Sequence, residues 1–160
     1  MRCAALVGVG LALLSGCGGG TSGTTSPTAP VPTTAALSVS VNTQPITTTS
    51  DPDAPNMAQW QVVIQETAGV GVEITFLNTT IRDAANGELA TPMGLITLPG
   101  TVVAQQAGSS HIQPRGSLTV PQSLQYALPS GGSAISLIVG VQGRDDNGHV
   151  VSGSGQANIN

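Results

Sequence analysis

The stretch QWQVVIQ, residues 59–65, alternates apolar and amide side chains. With Ala58 ahead of it, Ala58, Trp60, Val62 and Ile64 share one face, and Gln59, Gln61 and Gln65 share the other. A repeat of two is that of an extended chain, whose side chains point to opposite sides in turn, so the stretch reads as a half-buried β-strand. Working outward, Val72-Glu73-Ile74-Thr75-Phe76 repeats the pattern with Val72, Ile74 and Phe76 inward, after a turn-like Ala68-Gly69-Val70-Gly71. The alternation breaks at Phe76-Leu77 ahead of Ile81, which predicts a bulge there. Upstream, Leu37-Ser38-Val39-Ser40-Val41 alternates, and downstream Leu118 to Leu128 and Ile135 to Val141 supply further strands. Ten residues at helical spacing, free of Gly, Pro and β-branched clusters, occur nowhere in this part, so little helix is expected.

The last two strands fix their own register. Ile135, Leu137, Val139 and Val141 form one apolar set; Val151, Ala157 and Ile159, with Gly153 and Gly155 between them, form the next. Opposed residues share a face, so odd must pair with odd. A two-residue Asn147-Gly148 loop would set odd against even and expose one of the apolar sets. A three-residue loop, Asp146-Asn147-Gly148, pairs Val141 with Gly153 and Ile135 with Ile159, and puts Gly148 where the left-handed conformation is needed. Between Asn86 and Arg115 the apolar stretches are short and broken by Gly, Pro and Ser. They predict short edge strands and a long connection, without an assignment.

About seven antiparallel strands over residues 37–160, with a single tryptophan in the core, resemble an immunoglobulin-like or fibronectin-III-like β-sandwich. That resemblance implies an all-β fold of two packed sheets. The paired cysteines of antibody-type domains are absent, and Trp60 falls on the second strand and not the third. Cys3 and Cys17 are the only cysteines, so the globular part holds no disulfide and relies on packing and backbone pairing.

The N-terminus has a different character. Met1 and Arg2 precede an apolar run from Cys3 to Leu14, the layout of a secretory signal over residues 1–16. A helix of that run spans about 18 Å, short of the ~30 Å hydrocarbon core, which disfavours a stable span. Leu14-Ser15-Gly16-Cys17 resembles the lipobox of bacterial lipoproteins. The resemblance implies that Leu14, Ser15 and Gly16 position a signal peptidase, that cleavage frees Cys17, and that the Cys17 thiol carries lipid into a membrane. Gly18 is not aspartate, which by that family's sorting rule in a Gram-negative host implies the outer membrane. Residues 17–36 then read as the lipidated cysteine and a linker: Gly18 to Ala36 carries no charge, no aromatic residue and no hydrophobic period. Fully extended, the linker would reach nearly ~60 Å.

The composition excludes whole classes of function. Of 160 residues only 8% are charged and none is lysine; past the signal, eight acids face Arg82, Arg115 and Arg144. Three scattered arginines cannot release counterions from a phosphate backbone, so no nucleic-acid partner is expected. Histidines 111 and 149 sit in loop-like surroundings, no Gly-x-Ser-x-Gly elbow exists, and no spacing supplies zinc ligands, so no catalytic residue, no cofactor and no resident metal is expected. If calcium were bound, Glu66, Asp145 and Asp146, at one end of the sandwich, would be the trio to hold it. The simpler expectation is that Asp51 and Asp145 cap turns through their own backbone. With Trp60 and Phe76 assigned to core faces, an exposed aromatic platform for sugar is not foreseen. These readings converge on a lipid-anchored, non-catalytic binding, adhesion or structural module of the bacterial envelope, with an envelope protein or polysaccharide as partner. The alternative is an accessory subunit of an envelope transport or secretion assembly.

Overall fold

The computed structural model describes residues 30–43, 56–93, 96–129 and 134–159. Leu14, Ser15, Gly16, Cys17 and the Asp51-Pro52-Asp53 turn lie outside the described residues. Six strands of seven to twelve residues carry the fold: β1 (Leu37–Thr43), β2 (Asn56–Glu66), β3 (Val72–Asp83), β7 (Ser117–Ala127), β8 (Ile135–Asp145) and β9 (Val150–Ile159). Short strands β4 (Thr91–Met93), β5 (Thr97–Pro99) and β6 (His111–Ile112), with one helix α1 (Gly100–Ala107), fill the stretch that the sequence leaves unassigned. All pairings are antiparallel. One sheet runs β1-β2-β7-β4; the other runs β5-β3-β8-β9, with β6 also on β3. This is the strand order of an immunoglobulin-like sandwich, A-B-E-D against C′-C-F-G. The chain visits the D position at β4 before it returns to β3 at β5.

The period-two reading of β2 holds: Ala58, Trp60, Val62 and Ile64 are buried while Gln59, Gln61 and Gln65 are exposed. Each fully buried Ile or Val contributes roughly 1.5–3 kcal/mol by leaving water, and with no disulfide this burial is the main source of stability. The facing sheet supplies Ile135, Leu137, Val139 and Val141. The terminal hairpin has the register that parity requires, with Val141 opposite Gly153 and Ile135 opposite Ile159. Gly148 sits in the loop at φ +89°, and the Gly148 N–H donates to the Asp145 carbonyl at 2.8 Å.

On the inner face of β9, a Cβ on Gly155 would lie 2.7 Å from the Val39 carbonyl oxygen, and one on Gly153 would lie 3.1 Å from that of Leu37. Bare backbone there lets β1 close the side of the sandwich. On the opposite side α1 packs against β3 and β7, with Val103 fully buried beneath it.

Two expectations are corrected. The bulge in β3 is at Thr75: Ile74 pairs with Gly143 and Phe76 with Gln142, so Thr75 is the extra residue. An extra residue inverts every later side chain. Leu77, Thr79, Ile81 and Asp83 therefore face the core, and Phe76 faces out, 37% exposed. The stretch read as the end of the linker also belongs partly to the domain. Ala35 is buried, its N–H reaches Asp145 Oδ2 at 3.1 Å, and the Thr67 N–H donates to the Ala36 carbonyl at 2.9 Å.

Candidate functional site

Two regions concentrate polar side chains. The first is the pole where the chain enters, made of Thr33–Ala36, the β2–β3 turn, residues 108–116 and the β8–β9 turn. Glu66 ends β2 and is fully buried. Its Oε1 accepts from the N–H groups of Ala68 (2.7 Å) and Ala36 (3.3 Å), and its Oε2 from those of Gly69 and Arg115 (both 2.8 Å). Burial alone would raise the Glu66 carboxyl, but the backbone donors of Arg115, Gly69, Ala68 and Ala36 outweigh it and hold the group below its ordinary value.

Asp145 ends β8 in the same manner. Its Oδ1 accepts from the N–H groups of Asn147 (3.0 Å) and His149 (2.8 Å), and its Oδ2 from Ala35 N–H and His149 Nδ1 (3.2 Å). Burial opposes ionisation here too, and the donors of His149 and Ala35 again win, so the carboxyl is lowered. The Asn147 side chain completes the seam by donating from Nδ2 to the Thr33 carbonyl at 2.8 Å.

These carboxylates are turn caps, as the sequence suggested for Asp145. Glu66 and Asp145 do lie at one pole, but their oxygens face N–H donors, and a cation cannot share lone pairs already taken by four such donors. Asp146 points elsewhere, half-exposed, with Oδ1 3.1 Å from His111 Nε2. Among the described residues no three His, Cys, Asp or Glu side chains converge as metal ligands. His111 is occupied at both nitrogens, by Asp146 and by Gln113 Nε2 at 3.2 Å. The neighbouring Ser109 hydroxyl bonds the His111 backbone, and Ser110 donates to Glu73. Neither imidazole receives a serine hydroxyl among the described residues, so no nucleophile and base are paired.

The second region is the outer face of the β5-β3-β8-β9 sheet. Register sets its rows: Phe76, Gln142 and Ser152; Asn78, Gly140 and Ser154; Thr80, Ile138 and Gln156. Phe76 and Ile138 are each 37% exposed, whereas Trp60 and Tyr126 are buried, so Phe76 is the exposed aromatic among the described residues. Burial pushes the Tyr126 phenol up to about 12. Alternation read straight through residue 76 hides this face. The signal that could have revealed it is the apolar pair Leu77 and Ile81, which by alternation share one face and put Phe76 on the other.

A groove of about 350 Å³ also opens beside β3, lined by Thr79, Ile81, Leu89, Ala90, Pro92 and Ile96 among others. Among the described residues the buried Thr79 Oγ1 there has no hydrogen-bond partner.

No family model matches the sequence, and no curated protein matches it. Solved structures align with it over most of its length. A Bordetella pertussis protein described as ApaA is 14% identical with a TM-score of 0.51, over 78% of this chain and 93% of that one. A CARDB domain from Pyrococcus furiosus is 15% identical with a TM-score of 0.45, over 78% and 93%. At 14% identity the likeness to the Bordetella pertussis protein is one of architecture alone. Among the described residues no helix is long and apolar enough to cross a membrane.

Proposed function

We propose that this chain is a lipid-anchored protein of the bacterial envelope whose immunoglobulin-like domain is a non-catalytic binding module, held off the outer membrane by a short linker. The observation that carries the reading is Leu14-Ser15-Gly16-Cys17, placed at the end of the 12-residue apolar run Cys3 to Leu14 and directly before a charge-free Gly, Thr, Ser and Pro stretch. Small residues before the cysteine admit a peptidase to the backbone, and the thiolate is the nucleophile that lipid transfer needs. More than one acyl chain at ~0.8 kcal/mol per buried CH₂ gives stable anchoring where a single chain gives only reversible binding. The sandwich accords with a binding role, since it serves as a scaffold for sites on its faces and loops.

The test is Cys17→Ser in the full chain, followed by detergent partitioning and intact mass. The expected outcome is loss of the lipid mass and a shift of the protein to the soluble fraction. Unchanged mass and partitioning would overturn the anchor. Copurification from detergent-solubilised envelopes then separates the two roles: a stoichiometric complex marks an accessory subunit of an envelope assembly, and its absence marks a free binding module.

A further inference from the structure

We propose that the outer face of the β5-β3-β8-β9 sheet binds a neutral polysaccharide, with Phe76 against a sugar ring and the amides and hydroxyls around Gly140 bonded to its hydroxyl groups. The proposal rests on the binding-module reading and names its ligand class.

Three observations meet on this face. The first is Phe76. The bulge at Thr75 turns it out of the core and into the same row as Gln142, with Asn78 the next outward residue on its own strand. An exposed ring among amides offers a flat apolar surface, which the C–H face of a sugar ring can cover.

The second is Gly140, at the centre of the face between Asn78 and Ser154. Its backbone conformation does not require glycine, and nothing lies within 4 Å of the position a Cβ would take. Glycine inside a strand weakens it, and one use of such a position is to let a ligand approach the backbone closely. Its missing side chain leaves bare backbone between the outward positions of Gln142 and Ile138. Strand spacing near ~4.8 Å and same-face spacing near ~6.8 Å make the patch roughly 10 by 14 Å, the footprint of a short oligosaccharide.

The third is charge. The three rows carry no ionisable group; Glu73 and Arg144 lie beyond one end and Arg82 beyond the other. An anionic polymer would need cations within the patch, and a protein interface is usually depleted in serine and built around larger apolar anchors. Gln142, Ser154 and Gln156 direct uncharged donors and acceptors outward, and Asn78 keeps Oδ1 available while Nδ2 donates to Thr97 Oγ1. That set matches a polyol.

The experiment titrates the full chain with neutral hexasaccharides of glucose, xylose and N-acetylglucosamine by calorimetry, alongside Phe76→Ala and Gly140→Val. At least one sugar should bind saturably. Phe76→Ala should weaken it by about tenfold or more, as loss of a central anchor does. Gly140→Val covers the bare backbone and should abolish binding while the melting temperature stays level or rises, so the loss cannot be ascribed to misfolding. Binding by none of the three sugars, binding that both variants leave intact, or capture of a sulfated polymer in their place overturns the proposal. So does concentration-dependent dimerisation that Phe76→Ala removes, which would assign the face to a second copy of the chain. The Cys17→Ser partitioning experiment reads the anchor separately, so either conclusion can fail alone.

Discussion

The entry pole and the outer sheet face are both polar, yet they treat their polar groups in opposite ways. At the pole, Glu66 and Asp145 are buried and their oxygens are taken by backbone N–H groups from four segments of the chain. On the face, Gln142, Ser154 and Gln156 remain turned to solvent around Phe76. Glu66 and Asp145, which look chemical in the sequence, hold the fold together. The neutral residues, which match no motif, are the ones left exposed on the sheet face.

That contrast can be broken by substitution. The largest effect is expected from Glu66→Gln, which turns one acceptor oxygen into a donor facing two backbone N–H groups. Urea denaturation should show a loss of roughly 3 kcal/mol, the cost of unmaking charge-assisted bonds in a buried site. A loss under ~1 kcal/mol would mean that water relieves the site and the pole is not built as described.

Acid should act on the same groups more gradually. The carboxyls of Glu66 and Asp145 are lowered in the folded state, so the stability they confer is present above the ordinary carboxylate range and is lost as pH falls through their folded values. Melting temperature should be level from neutral pH to about 5 and drop below about 4. A domain as stable at pH 3 as at pH 7 would contradict this.

A smaller, opposite change is expected at Arg115, which holds φ +58° so that its N–H can reach Glu66. Arg115→Gly removes the left-handed strain and should raise stability by about 0.5–1 kcal/mol by the same urea measurement. The face should respond least of all. Phe76→Ala removes an exposed ring and should leave stability within about 0.5 kcal/mol. A loss above ~2 kcal/mol would return Phe76 to the core and end the contrast.

How much of this the sequence disclosed depends on the range of each interaction. The β8–β9 hairpin was legible to the residue because parity between adjacent strands, together with Asn147-Gly148, leaves one loop length. The turn-capping role of Asp145 was legible because two of its donors, Asn147 and His149, lie within four residues. Glu66 was legible only in part: its donors Ala68 and Gly69 lie two and three residues on, but Ala36 and Arg115, which complete the set, are 30 and 49 residues away in the chain. The break of alternation near Phe76 was visible, but a break does not say which residue is the extra one. Only pairing with β8 places it at Thr75. Residues 87–115 were opaque for a related reason. Strands of two or three residues have too few repeats to show a period, and α1 is held by Val103 beneath β3 and β7 more than by its own propensity.

By itself, the sequence determined an all-β sandwich without disulfides, its strand faces wherever alternation ran unbroken, and a lipobox-like start. These rest on local periodicity and local chemistry, which need no partner. Tertiary structure alone decided that the acids at the pole are consumed by backbone donors, and that one bulged residue turns a core aromatic outward. Both depend on which distant segments meet, and a one-residue change of register reverses every side chain that follows.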